Sequence, residues 1–195
     1  MVKTVSLTLA FILILFGIIF GALSMLAPKF LATVFDNMGD YATSIMSYER
    51  QYNETNSLAD LVVLLDKVDV EKSSSVAEKY SRIMINSEDF STYCLLYDDG
   101  ESLIPLEYYY YGIHAQSLFL NSKTDEAISF CSQWVNGYSE FNPYRIVVST
   151  IATKISSEQL TAIKSSIEGL IGGLTGERLA FAQLDLFYIN NLIQG

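Results

Sequence analysis

The sequence predicts an all-α protein in which one N-terminal transmembrane helix is followed by antiparallel helix pairs. Three observations support this fold class. An uncharged apolar run opens the chain, and apolar residues then recur with a period near 3.6. No segment after Pro28 alternates polar and apolar residues over the length of a strand. We therefore expect two domains: residues 1–28 as a transmembrane signal-anchor and residues 29–195 as a helical domain.

The apolar run covers residues 4–28, and it contains no charged side chain between Lys3 and Lys29. About 20 apolar residues are enough for a helix to cross the hydrocarbon core of a bilayer. A cleaved secretory signal has a shorter apolar core, of ~7–15 residues, followed by small residues. Residues 22–24 (Ala-Leu-Ser) resemble such a cleavage site, but the apolar run continues beyond them. This length favours an uncleaved anchor over a cleaved signal.

The flanking charges of the run predict its orientation. Lys3 and the amino terminus precede it, and Lys29 follows it. Under the positive-inside rule, this small excess places the N-terminus in the cytoplasm and the helical domain outside it. Gly17 and Gly21 form a GxxxG pattern, which lets a second membrane helix approach closely. We therefore also expect self-association through this face, with the presence of glycine in many membrane helices as the alternative explanation.

Composition excludes several classes of function. The formal net charge of the 195 residues is -10, which disfavours nucleic acid as a partner because its phosphates require Lys and Arg. One histidine and two cysteines are too few for an ordinary zinc site. Cys94 and Cys131 are either a disulfide outside the cytoplasm or two buried thiols. The acids around Gly100 lack the calcium-loop pattern, no phosphate-loop motif is present, and we expect no cofactor.

Capping and breaking residues divide the first half of the helical domain. Pro28 either opens a helix or kinks a longer one, and Gly39-Asp40 ends the segment that follows. Asn56 or Ser57 caps the third segment, and the serines at 73–75 cap the fourth. Ser87 opens a short helix that ends before the turn sequence 98–100. The predicted helices with stated bounds in this half are 30–38, 58–68 and 76–85. A further helix carries Tyr41, Ile45, Tyr48 and Tyr52 on one face, and the short helix after Ser87 carries Phe90, Cys94 and Tyr97.

The second half of the domain also contains residues that start and end helices. Pro105 opens a long helix, residues 123–125 cap the next, and the Asn142-Pro143 pair interrupts the chain. Ser156 and Gln159 have the spacing of a capping box. Gly172-Gly173 ends that helix, and Thr175 opens the last one. The predicted helices are 105–121, 126–138, 144–154, 157–171 and 176–193.

Two of these helix pairs share a pattern of large and small residues. The first copy is Pro28, Leu31-Ala32, Phe35, Gly39, Tyr41, Ser44 and Tyr48. The second copy is Tyr111, His114-Ala115, Leu118, Ser122, Thr124, Ala127 and Cys131. The pattern resembles the tetratricopeptide repeat, a helix-turn-helix unit of ~34 residues. This resemblance implies an antiparallel helix-pair α-solenoid that offers an extended groove to another protein and needs no catalytic residues.

Aromatic residues are the candidate partner-binding residues. Four consecutive tyrosines, 108–111, point in all directions around a helix, so that some of them must face outward. An exposed tyrosine is a good recognition residue because it has a large apolar body and a polar tip. The predicted partner-binding residues are Tyr108, Tyr109, Tyr110, Trp134 and Tyr138, with core packing as the alternative role. His114 is interpreted as a packing histidine rather than a catalytic base.

These observations predict a single-pass membrane protein whose helical-repeat domain binds another protein as a scaffold or assembly module. No catalytic set of residues is recognisable, and we therefore do not expect an enzyme. The alternative is a membrane-tethered helical enzyme or small-ligand-binding domain, with the acids around Asp98 or the tyrosine row lining its pocket. An elongated concave surface would favour the first function, and one deep polar pocket the second.

Overall fold

The structure is all-helical, as the sequence predicts. A computed structural model describes residues 2–98, 104–133 and 141–194, with side chains from residue 10 onward, and it contains no strand in these ranges. Its helices are α1 (Val2–Leu26), α2 (Pro28–Met38), α3 (Tyr41–Thr55), α4 (Leu58–Lys67), α5 (Ser74–Ile85), α6 (Phe90–Tyr97), α7 (Leu106–Leu120), α8 (Thr124–Ser132), α9 (Pro143–Ile151), α10 (Ser157–Ile171) and α11 (Gly176–Gln194).

The chain forms two compact units, Met1–Lys67 and Val68–Gly195. The division falls inside the predicted helical domain, after α4, and α1 belongs to the same unit as α2, α3 and α4.

Pro28 opens a new helix in the first unit rather than kinking a longer one. It occupies the first turn of α2, where a missing N–H costs no hydrogen bond, and Ala27 separates it from α1. Among the residues with described side chains, no single helix is long and apolar enough to cross a membrane. Ala10–Leu26 and Pro28–Met38 meet that test only together, with a bend of 116° between them. The predicted transmembrane helix over residues 4–28 stays a prediction.

Helices α2 and α3 pack closely because small residues lie between them. Ala32 is fully buried, and the buried Ser44 hydroxyl donates to its carbonyl oxygen at 3.1 Å. Gly39 makes the turn between the helices with φ of 75°, a conformation that favours glycine. The carboxylate of Asp40 then caps α3 by accepting from the Thr43 N–H at 3.2 Å.

Helices of the second unit pack in two overlapping series. Helix α5 packs on α7, α7 on α9, and α9 on α11, so the odd-numbered helices contact one another in chain order. Helix α8 packs on α7 and on α10, and α10 packs on α11. The core between them contains Leu118, Phe119, Tyr144, Val147 and Ile163, all of which are buried.

The element boundaries largely follow the predicted caps. Both bonds of the capping box are present: the Gln159 N–H donates to Ser156 Oγ at 3.2 Å, and the Ser156 N–H donates to Gln159 Oε1 at 3.0 Å. Helix α9 ends three residues before the predicted Lys154. The reason is that the Lys154 N–H donates to the Ile151 carbonyl at 2.8 Å, which closes a tighter turn.

Candidate functional site

The tyrosine row lies at the start of α7 and divides between core and surface. Tyr110 and Tyr111 are buried, Tyr108 is half-buried, and Tyr109 is 37 % exposed. This distribution follows from the 100° rotation between consecutive helical residues. Tyr110 therefore offers no side-chain surface to a partner in this structure, and the partner-binding prediction rests on Tyr108 and Tyr109.

The buried tyrosines belong to an aromatic cluster that links α6, α7 and α8. Phe90 lies 5.6 Å from Tyr111 between ring centroids, and Tyr111 lies 6.0 Å from Phe130. The Tyr111 hydroxyl donates to Glu107 Oε1 at 2.6 Å. Burial and this hydrogen bond raise the pKa of Tyr111, so the phenol stays neutral. The cluster is a packing feature with an exposed margin at Tyr109.

Trp134 and Tyr138 lie outside the described residues, and so do Asp99, Gly100 and Glu101. Gly17 and Gly21 are described, and a Cβ added at either would meet nothing within 4 Å. Space is therefore free beside each glycine, but Gly21 also borders a pocket that is lined by Phe35 of α2 and Met46 of α3.

Cys94 and Cys131 are both buried free thiols, on α6 and α8 respectively. Of the two alternatives that the sequence left open, the structure shows unpaired thiols. Burial raises the pKa of Cys94 to about 11, with a smaller contribution from Glu107. Neither cysteine has the lowered pKa of a reactive nucleophile.

Ser81 and His114 form a hydrogen-bonded pair between α5 and α7. Ser81 Oγ lies 2.9 Å from His114 Nδ1, and the imidazole packs edge-on against Phe130 at 4.9 Å between ring centroids. Burial and the nearby Arg82 guanidinium lower the pKa of His114 to about 4. A serine beside a neutral histidine is the arrangement that activates a nucleophile. Both side chains are buried, however, which agrees with the interpretation of His114 as a packing residue.

Glu78 of α5 is the centre of a charged network that joins α5 to the turn after α7. Lys123 Nζ lies 2.6 Å from Glu78 Oε1, and Asn121 Nδ2 donates to Glu78 Oε2 at 2.7 Å. Arg82 bridges Glu78 to Glu126 of α8. Burial alone would raise the pKa of Glu78, but the hydrogen bonds from Lys123 and Asn121 outweigh it and leave the pKa below its ordinary value.

A pocket of about 370 Å³ lies between α9 and α11. Apolar side chains form most of its wall, with a guanidinium and a carboxylate among them. It is lined by Ile104, Arg145, Ile146, Val148, Ser149, Leu184, Asp185 and Tyr188.

The polar part of this pocket is an ion pair between α9 and α11. Arg145 Nη1 lies 3.8 Å from Asp185 Oδ1, and the guanidinium lies over the Phe181 ring at 4.6 Å. The Asp185 side chain is only 8 % exposed. Among the buried side-chain nitrogen and oxygen atoms that the structure describes, Arg145 Nη1 alone makes no hydrogen bond. A buried donor of this kind favours a site that offers it an acceptor.

Sequence reasoning missed this ion pair, although a signal for it exists. Arg145 is the one charged residue of α9, and Asp185 is the one charged residue from Leu179 to the end of α11. A single charge inside an otherwise uncharged helix is usually paired when it is buried. The pairing could not be predicted because 40 positions separate the two residues in the sequence.

Comparison with protein-family models, curated proteins and solved structures finds no match to this chain.

Proposed function

We propose that this chain is a single-pass membrane-anchored helical-repeat protein whose helical part binds another protein. The packing order of the second unit carries the proposal. The odd-numbered helices from α5 to α11 contact one another in sequence, and α8 contacts α10. A row of helices that contact one another in chain order is typical of helical-repeat proteins, which use such a row as a binding surface and need no catalytic residues.

The anchoring part of the proposal rests on residues 4–28. They carry no charge, and α1 runs to Leu26 over 25 residues. At 1.5 Å per residue, ~20 residues suffice to cross the hydrocarbon core. The flanking charges support an orientation with the helical part on the extracytoplasmic side.

Tyr108 and Tyr109 are the proposed contacts for the protein partner. Tyr109 is exposed next to the buried Tyr110, with 5.3 Å between ring centroids, so that its ring is held in place by the cluster beneath it. A fixed, exposed aromatic ring loses little conformational entropy on binding. This property favours Tyr109 over a flexible surface side chain as a recognition residue.

Copurification from membranes in mild detergent tests this proposal. The chain and its Tyr109→Ser variant are isolated in parallel, together with Tyr52→Ser in the first unit as a matched control. We expect a protein that copurifies stoichiometrically with the parent and with Tyr52→Ser to be lost from Tyr109→Ser. Equal recovery from all three would contradict a role for Tyr109 in binding, and no copurifying protein would contradict the scaffold function.

The pocket between α9 and α11 favours a second candidate function, the binding of a small ligand. Its apolar wall and its Arg145–Asp185 pair match the usual make-up of small-molecule sites. Native mass spectrometry of the purified chain tests this function. A bound small molecule that is lost from Ser149→Trp, which narrows the pocket at an exposed lining residue, would support it. A ligand-free parent would favour the protein-binding function.

A further inference from the structure

A pocket of about 420 Å³ lies between α1, α2 and α3 of the first unit. Phe20, Gly21 and Ser24, in the last two turns of α1, form one side of it. The Phe20 ring lies 6.0 Å from the Phe35 ring of α2 between centroids, and Arg50 Nη1 of α3 donates to Ser24 Oγ at 3.2 Å. The three helices thus form one concave site at the end of α1.

The lining of this pocket is partly apolar and partly polar. Its apolar side chains include Phe35 of α2 and Met46 of α3, and its polar groups include three hydroxyls. Among the described residues that line the pocket, Arg50 alone is charged. A lining of this mixed kind suits a ligand that itself has an apolar part and a polar part.

The guanidinium of Arg50 lies beside a carboxylate. Arg50 Nε donates to Glu54 Oε1 at 3.1 Å, and Glu54 lies one turn further along α3. The two side chains are 40 % and 44 % exposed, so that both charges remain accessible to a ligand. A guanidinium has five N–H donors, and the bonds to Ser24 and Glu54 use two of them. The site therefore offers a positive group with further donors next to a negative group.

The proposed attachment through residues 4–28 puts this pocket at the boundary between hydrocarbon and lipid headgroups, because residues 20–24 end the apolar run. The bend of 116° between Ala10–Leu26 and Pro28–Met38 exceeds a right angle. With α1 across the bilayer, α2 therefore runs along the membrane surface rather than away from it. Phe30 and Met38 of α2 are 59 % and 73 % exposed, and at this level lipid rather than water surrounds such apolar side chains.

We propose that this pocket binds one phospholipid of the surrounding bilayer, with a zwitterionic headgroup. This inference rests on the proposed membrane attachment. The lipid phosphate accepts hydrogen bonds from the Arg50 guanidinium, and the ammonium group of the headgroup lies against the Glu54 carboxylate. The first part of an acyl chain lies against Phe35 and Met46.

Charge favours a zwitterionic headgroup over an anionic one. The Arg50 guanidinium is already balanced by Glu54, so an anionic headgroup would bring a second negative charge next to that carboxylate. The chain as a whole also has a net charge of -10, which disfavours anionic lipid. A headgroup that carries both charges matches the adjacent positive and negative groups of the site.

Native mass spectrometry of the purified full chain tests the proposal. The chain is held in detergent micelles that contain equal amounts of phosphatidylethanolamine and phosphatidylglycerol with identical acyl chains, and bound lipids are counted by mass. Arg50→Gln removes the group that holds the phosphate, and Glu54→Gln removes the group that holds the ammonium. Arg178→Gln, at an exposed position of α11, and Glu168→Gln, from another i,i+4 ion pair, are the matched controls.

We expect the parent and both controls to retain one phosphatidylethanolamine per chain in preference to phosphatidylglycerol. Arg50→Gln should bind that lipid roughly tenfold more weakly, because hydrogen bonds to a charged group are lost. Glu54→Gln should keep a bound lipid but lose the preference for phosphatidylethanolamine, a change that a purely structural role of the ion pair would not produce. Parent-like binding by Arg50→Gln, or a parent-like preference in Glu54→Gln, would overturn the proposal.

Alkaline extraction of membranes that contain the parent, Arg50→Gln and Glu54→Gln separates this lipid site from the proposed attachment. All three chains should stay in the membrane pellet, since α1 is unchanged in each. Release of the parent would contradict the attachment and the lipid site together. A parent that stays in the pellet but binds no lipid, or binds both lipids equally, would overturn the lipid site alone.

Discussion

Gly112 of α7 lies directly against Ile146 of α9: a Cβ added at Gly112 would come within 2.8 Å of Ile146 Cγ2 and 3.2 Å of its Cδ1. Cγ2 is attached to the branched Cβ, so it cannot move aside as the end of a flexible side chain could. The absence of a side chain at position 112 therefore allows α7 and α9 to pack closely. The contact joins two successive members of the α5–α7–α9–α11 series.

Gly112→Ala should destabilise the second unit despite the better helix propensity of alanine. Overpacking should lower the free energy of unfolding by roughly 1–3 kcal/mol, whereas the higher helix propensity of alanine should raise it by at most about 1 kcal/mol. Gly169→Ala on α10 is the control, because its Cβ would meet nothing within 4 Å. That variant should gain roughly 0.5–1 kcal/mol. Urea unfolding of both variants followed by circular dichroism measures the difference, and a Gly112→Ala variant as stable as the parent would contradict close α7–α9 packing.

Ala127→Leu tests the predicted repeat packing between α7 and α8. Ala127 is fully buried at the start of α8, where the repeat pattern requires a small residue. The larger side chain should destabilise the chain by roughly 1–3 kcal/mol. Ser129→Leu, exposed on the same helix, should change stability by less than about 0.5 kcal/mol. Thermal unfolding measures the melting temperatures of the two variants. Equal melting temperatures would contradict tetratricopeptide-like packing between α7 and α8.

Glu78→Gln should destabilise the chain at neutral pH and much less in acid. The carboxylate accepts hydrogen bonds from Lys123 and Asn121, and hydrogen bonds to charged groups contribute about 1.5–3 kcal/mol. Since the pKa of Glu78 is lowered by folding, its contribution is fully present above the ordinary value of 4.5 and is lost as the pH falls through the folded value. Glu78→Gln removes this titration.

Urea unfolding of the parent and of Glu78→Gln at pH 7 and pH 3 measures that effect. The stability gap between the two proteins should narrow at pH 3. Glu88→Gln, at an exposed glutamate outside the network, serves as the control and should show a small gap at both pH values. A gap for Glu78→Gln that stayed constant with pH would show that folding does not lower the pKa of Glu78.

The helices could be predicted because their start and stop residues act locally. The capping box at Ser156 and Gln159, the turn at Gly39 and the cap at Asp40 each involve residues within a few positions of one another. Contacts between residues so close in the chain can be predicted from a single sequence. Most predicted helix boundaries therefore lie within two residues of the observed ones. Three do not: α9 ends early, where a tighter turn closes, α6 begins at Phe90 rather than at Ser87, and α8 ends at Ser132 rather than near Tyr138.

The candidate sites could not be predicted to the same extent, because they depend on long-range contacts. Arg145 and Asp185 are 40 positions apart, and Glu78 pairs with Lys123 across 45 positions. The division of the tyrosine row between core and surface could not be predicted for another reason. Four identical residues contain no periodicity, so the sequence could not show that Tyr110 faces inward while Tyr109 faces outward. The division into two units after Lys67 also follows from tertiary packing alone.

Alkaline extraction of membranes from cells that produce the full chain tests the central claim, attachment through residues 4–28, most directly. The account predicts that the chain stays in the membrane pellet at its full mass. A variant with Ile14→Asp and Ile18→Asp, two exposed apolar positions of α1, should be released because each buried charge in a transmembrane helix costs about 2.5–3.5 kcal/mol. Release of the unaltered chain into the soluble fraction, at full mass or as a form that begins near Met25, would contradict the anchor.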